Sequence, residues 1–136
     1  MTPKFRAWLK EEKRMTDVRE MTFMYDEVYL ISDVTGFYAY EEFKLMQSTG
    51  LVDMYDKEIF EGDVLKMSDG ELAKVVWNKY LGCWEVKFLS EIVDLSEVAD
   101  VKSNRSDCEI VGNIYENPEF LEGDWDDFLR LLRLHF

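Results

Sequence analysis

The stretch Leu45–Met67, LMQSTGLVDMYDKEIFEGDVLKM, decides how this chain is read. It opens on an extended apolar-polar run, Leu45 to Val52. It then loses all apolar alternation from Asp53 to Lys57, which reads as a loop. Ile59 and Phe60 follow, and then a glycine-aspartate corner, Gly62-Asp63, leads into the apolar run Val64-Leu65-Lys66-Met67. Glycine tolerates positive φ, so the backbone can turn sharply at Gly62. An aspartate at such a corner can accept hydrogen bonds from nearby amides. Gly62 and Asp63 are therefore expected to act as a structural turn, with Ile59 and Phe60 closing the bottom of a small β structure.

Working outward, Phe5, Ala7 and Leu9 alternate with Arg6, Trp8 and Lys10, the period of a half-buried strand. Val28–Ile31 and Phe37–Tyr40 read as strands around a turn at residues 32–36, and Glu41–Met46 as a brief helical turn. Beyond Met67, Ser68-Asp69-Gly70 is a hairpin turn. Ala73, Val75 and Trp77 then share one face of a strand, and Trp84, Val86 and Phe88 one face of the next. Residues 92–101 fit either a short helix or an irregular crossover. Ser103–Asp107 is a polar turn, and Cys108–Tyr115 the last strand. Short strands at this spacing, entered through a glycine-aspartate step, suggest a small SH3-like barrel. Near the end, Asn117-Pro118 and Gly123-Asp124 both fit helix starts. The run WDDFLRLLRLHF places Trp125, Phe128, Leu129 and Leu132 on one apolar face at helical spacing. That face must bury against the chain's own body or against a neighbouring subunit. The expected architecture is mainly β: an N-terminal β-sheet lobe (1–52) packed on an SH3-like barrel (53–117), with an amphipathic helix over 118–136.

Three blocks carry a family resemblance. They are Lys4-Phe5-Arg6-Ala7-Trp8; the central Met46-Gln47, Thr49-Gly50-Leu51 and Lys57-Glu58-Ile59-Phe60-Glu61-Gly62-Asp63; and Val111-Gly112-Asn113-Ile114-Tyr115-Glu116-Asn117-Pro118-Glu119. In this order they resemble the YopX family of small phage and prophage proteins. The family's turn often carries Asn-Gly before the lysine, a pair suited to a tight primed turn. Tyr55-Asp56 stands there in this chain, which leaves the turn type open. The resemblance implies a mainly β fold and a bacterial host. It supplies no catalytic residue.

The 136 residues are 47% hydrophobic, enough for a real core, and carry a net charge of −13. No apolar run approaches the roughly 20 residues of a membrane helix, and the first residues lack a secretory pattern. A cytoplasmic protein with free thiols at Cys83 and Cys108 is expected. The charge is segregated: residues 1–14 hold a surplus of three positive charges on an otherwise acidic chain. This favours contact between an N-terminal strand and an acidic body, within the chain or between subunits. It disfavours nucleic acid as a partner.

A search for chemistry is mostly empty. His135 is the only histidine, which excludes a histidine-based triad or a two-histidine metal site within one chain. There is no Cys-x-x-Cys and no phosphate loop. Asp53, Asp56, Glu58, Glu61 and Asp63 crowd the central stretch; they read as loop acids with one turn-capping aspartate, and alternatively as a divalent-ion site. The candidate partner-binding residues are the aromatic-basic face Arg6, Trp8 and Lys10, and the acidic run Glu122, Asp124, Asp126 and Asp127. The expectation is a non-enzymatic phage or prophage accessory protein without a cofactor. It would self-assemble or bind a host or phage protein with a basic surface, with a nucleic-acid-binding SH3-like module as the alternative.

Overall fold

The structure, a computed structural model, describes residues 4–100 and 105–118. Its described residues are mainly β, with one 3₁₀ turn at Leu95–Glu97 and no α-helix. The chain divides into two compact units, Met1–Ser48 and Thr49–Phe136. The division falls inside one continuous strand, whereas the sequence places it after Val52, where the loop begins.

The first unit contains β1 (Phe5–Leu9), β2 (Arg14–Asp17), β3 (Glu20–Met24), β4 (Glu27–Ser32) and β5 (Phe37–Ala39), and the opening residues of β6 (Phe43–Val52). β1 lies between β2 and β6, antiparallel to both. Its alternation is decisive: Ala7 and Leu9 are fully buried, with Ile31 and Phe43, in this unit's core. β3, β4 and β5 form a separate three-stranded antiparallel sheet. The helical turn expected over Glu41–Met46 is absent. The Glu42 amide donates to the Ala39 carbonyl at 2.8 Å to close a turn, and Phe43 then enters β6 opposite Leu9. Pairing with β1 satisfies backbone groups that a single helical turn would leave open.

The second unit adds β7 (Glu58–Phe60), β8 (Asp63–Lys66), β9 (Leu72–Asn78), β10 (Cys83–Lys87), β11 (Ile92–Asp94), β12 (Ala99–Asp100), β13 (Arg105–Ser106) and β14 (Glu109–Asn113). β8 to β11 form an antiparallel meander, and β14 returns beside β8, giving a five-strand half-barrel sheet in the order β11-β10-β9-β8-β14. Its core gathers Ile59, Leu65, Ala73, Val75, Val86 and Leu95 with the buried thiol residue Cys108. The stretch 92–101, open to a short helix or an irregular crossover, forms β11, the 3₁₀ turn and β12 over its described residues 92–100. Asp94 caps that turn by accepting the Ser96 amide at 2.9 Å. The amphipathic helix expected from residue 118 onward lies outside the described residues apart from Pro118. Both cysteines are free.

Two aspartates from the central stretch organise the start of this unit. At the corner, Gly62 has φ +87°, and Asp63 is buried with Oδ2 accepting the Phe60 amide at 2.8 Å. Upstream, the open question of turn type is answered by one positive φ, at Asp56 (+65°). The Asp56 amide donates to the Asp53 carbonyl at 3.1 Å, and the Asp53 amide to the Lys57 carbonyl at 2.8 Å. This is a three-residue hairpin loop, Met54–Asp56, with a single left-handed residue, and not the two-residue primed turn that Asn-Gly would favour. Asp53 is fully buried. Its Oδ1 accepts the Tyr55 and Lys57 amides, each at 2.9 Å, and its Oδ2 accepts the Ile110 amide of β14 at 3.0 Å.

Candidate interaction surface

The sheet β3–β4–β5 has two ends of different character. At one end the loop joining β4 to β5 is held by the buried carboxylate of Asp33. Oδ1 accepts the Thr35 amide (2.7 Å), the Thr35 hydroxyl (2.7 Å) and the Gly36 amide (3.0 Å). Oδ2 accepts the Thr16 hydroxyl (2.7 Å) and the Arg14 guanidinium (3.1 Å). Burial alone would raise the Asp33 pKa. The hydrogen bonds from Thr35, Thr16 and Gly36 outweigh it and hold the carboxyl well below its ordinary range.

The other end is apolar and open. Phe23 and Met24 close β3, Tyr25 sits in the turn, Tyr29 lies on β4, and Tyr40 follows β5. All five side chains are exposed, Tyr25 to 93%, Phe23 to 60% and Tyr40 to 54%. The Tyr29 and Tyr40 rings meet at 5.5 Å, tilted by 31°. The Tyr40 hydroxyl donates to Glu41 Oε1 at 2.9 Å, and that bonded carboxylate raises the phenol's pKa. Exposed acids surround the rings: Asp26 and Glu27 in the hairpin, Glu41 and Glu42 after β5. Aromatic faces attract cations, and tyrosine, phenylalanine and methionine are the residues enriched at protein interfaces. The arrangement presents ring faces and apolar area to solvent.

The hairpin tip carries a local cost. Met24 pairs with Glu27, so the loop has two residues, Tyr25 and Asp26, with φ +52° and +67°. Positive φ at both positions is the primed-turn pattern, which Asn-Gly fills with least strain. A bulky side chain there costs about 1–2 kcal/mol. Replacing Tyr25-Asp26 by Asn-Gly is expected to stabilise the first unit by about 1 kcal/mol in urea unfolding followed by hydrogen exchange of β3 and β4 amides. The sequence shows the aromatic residues, but positive φ at a tyrosine leaves no trace in it.

The residues singled out from sequence are placed as follows. Arg6 and Trp8 are half-buried on the central strand β1, and Lys10 is exposed just past it. The alternation gave their common face, but only Lys10 of the three stands fully in solvent. Glu122, Asp124, Asp126 and Asp127 lie outside the described residues. Gly62 and Asp63 form the corner described above. Of the central acids, Asp53 and Asp63 are turned inward onto backbone amides. Among the described residues, no group of three or more histidine, cysteine, aspartate or glutamate residues is placed to hold a metal.

Comparison with known proteins fixes the relationship. The family described as YopX protein matches residues 4–122. The chain belongs to the YopX family. Among solved structures this YopX-family chain is similar to protein EF1440 from Enterococcus faecalis: TM-score 0.68, 27% identity, over 90% of this chain and 99% of that one. No curated protein matches it. Residues 123–136 lie beyond the family match.

Proposed function

We propose that this YopX-family chain is a non-enzymatic accessory protein of a phage or prophage that acts by binding other proteins, its own copies included. The observation that carries this reading is the aromatic end of β3–β4–β5, five exposed apolar side chains rimmed by acids. Its complement is a protein surface that pairs arginine or lysine with apolar contact area. The working compartment is the cytoplasm of the bacterial host. Among the described residues no helix is long and apolar enough to cross a membrane. We read the second unit as SH3-like: a four-strand meander entered through Gly62-Asp63, with a final strand returning beside its first.

The test is site-specific photocrosslinking in the host, with a benzoylphenylalanine at Tyr25 and, as control, at exposed Lys66. The expected result is an adduct specific to position 25. Its contact peptide is basic, and the adduct is lost when Tyr29 and Tyr40 are changed to serine. Identical adducts from both positions, or none from position 25, would overturn the reading.

A further inference from the structure

The sheet β3–β4–β5 has one covered edge and one open edge. At β5 the Ala39 carbonyl accepts the Glu42 amide (2.8 Å) and the Ala39 amide donates to Glu42 Oε1 (3.3 Å), so the chain closes that edge on itself. At the other edge, among the described residues, β3 pairs only with β4. Edge strands are usually protected by lysine, proline, a bulge or a covering segment. β3 reads Glu-Met-Thr-Phe-Met, with one charge at its start and neither lysine nor proline. The sheet's bulge does not protect it either. Pairing steps from Thr22–Leu30 to Phe23–Val28, so the extra residue is Tyr29 of β4 and β3 stays regular.

This open edge sets its own register. Met24 and Glu27 close a two-residue loop, so their N–H and C=O groups face each other. By alternation Thr22 and Glu20 also turn theirs toward β4, and the N–H and C=O groups of Met21 and Phe23 point away from it. An antiparallel copy of β3 meets all of these outward groups only about a two-fold axis at Thr22. Met21 then exchanges both N–H···O bonds with Phe23 of the second copy, Phe23 with its Met21, and Thr22 stands opposite Thr22. Carried two residues further, this register sets exposed Arg19 opposite Tyr25 of the second copy and beside its Asp26. The pairing ends there, because the Val18 amide donates to the Phe5 carbonyl at 3.1 Å.

We propose that two copies of this chain pair through their β3 edges, antiparallel about Thr22, with Arg19 of each copy on the Tyr25 ring of the other. The two three-stranded sheets become one continuous sheet. The proposal rests on the binding role of the aromatic end and names its partner as a second copy. Charge complementarity within one strand selects that partner. The chain carries −13 overall, yet β3 is entered from Arg19 and ends in the acid-rimmed aromatic turn. Antiparallel copies therefore set cation against aromatic ring and carboxylate at both ends of the seam. A parallel pair would set acid on acid. Exposed Phe23 of one copy meets Met21 of the other, which packs on the first unit's core. The pairing thus extends that core across the seam.

The test is equilibrium sedimentation of the full chain, joined to disulfide trapping. The native chain is expected to sediment as a dimer. Arg19→Glu places an acid at both ends of the seam and is expected to raise the dimer dissociation constant about tenfold or more, with the circular dichroism unchanged. Thr22→Cys sets the paired Cα atoms about 4.5 Å apart, the spacing of a non-hydrogen-bonded pair and within disulfide reach. Mild oxidation is expected to link the two position-22 sites, located by peptide mass mapping. Lys66→Cys, in the second unit, is the control and is expected to give no covalent dimer. A monomeric native chain, a dimer indifferent to Arg19→Glu, or no linkage between the position-22 sites would overturn the proposal. The binding role of the aromatic end is judged separately, by whether position 25 gains an adduct in the host. A monomeric chain whose position 25 crosslinks a basic peptide of another protein keeps that role and removes the dimer.

Discussion

Asp53→Ala is expected to destabilise the second unit by about 3–5 kcal/mol, because it takes the acceptor from three backbone amides, each unmet buried donor costing about 1–3 kcal/mol. The side chain is fully buried and accepts three backbone amides, from Tyr55, Lys57 and Ile110. Hydrogen bonds to a charged acceptor are each worth about 1.5–3 kcal/mol, and an amide left buried without a partner costs its desolvation. The total is less than the sum because the loop can relax and admit water. Asp53→Asn keeps the shape and one carbonyl oxygen but turns an amide nitrogen toward at least one donor, so it should cost about half as much. Urea unfolding gives the total. Hydrogen exchange at Tyr55, Lys57 and Ile110 locates it, with all three amides losing protection together. A loss below about 1 kcal/mol for the alanine variant would show that the carboxylate does not join the β6–β7 loop to β14.

Asp33 is the corresponding point in the first unit, and its effect depends on pH. It accepts five hydrogen bonds, from Thr16, Thr35 (two), Gly36 and Arg14. Asp33→Ala is expected to cost about 1–3 kcal/mol at neutral pH, since it removes the shared acceptor of those donors, while the exposed Thr35 and Arg14 groups turn to water. The folded pKa is depressed below the ordinary 3.8. The folded state therefore resists protonation more than the unfolded chain does. Its stabilisation is complete well above pH 3.8 and is lost as pH falls through 3.8 toward the lower folded value. Stability of β2, β4 and β5 amides, measured by hydrogen exchange between about pH 5 and pH 3, should fall with acidity in the native chain. Asp33→Asn should flatten that slope while lowering stability at neutral pH. An unchanged slope in the asparagine variant would remove Asp33 as its source.

Particular residues show how far the sequence could be read. The Gly62-Asp63 corner was legible because its cause is local: glycine takes φ +87° and the adjacent carboxylate meets an amide three residues back. Strand β1 was legible because burial with period 2 is written directly in Phe5-Arg6-Ala7-Trp8-Leu9. Asp53 was not. A solvated turn acid and a buried amide acceptor have the same local pattern, and the difference is made by Ile110, 57 residues away. Arg6 and Trp8 read as a presented face, but β1 became a central strand, where neighbours on both sides half-bury them. The aromatic end of β3–β4–β5 was visible only as composition. Its gathering depends on which strand pairs with which, and on a left-handed tyrosine that no propensity favours.

Local chemistry alone therefore determined the β character, the main hairpins, the glycine-aspartate corner and the family. These follow from periodicity, turn residues and motif order, all carried by neighbours in the chain. The tertiary structure decided which acids are buried, where the units divide, that β14 returns beside β8, and which aromatic residues stay in solvent. Each of these is set by contacts between residues far apart in sequence. A residue's own type and near neighbours constrain its backbone but not the distant surface that reaches it.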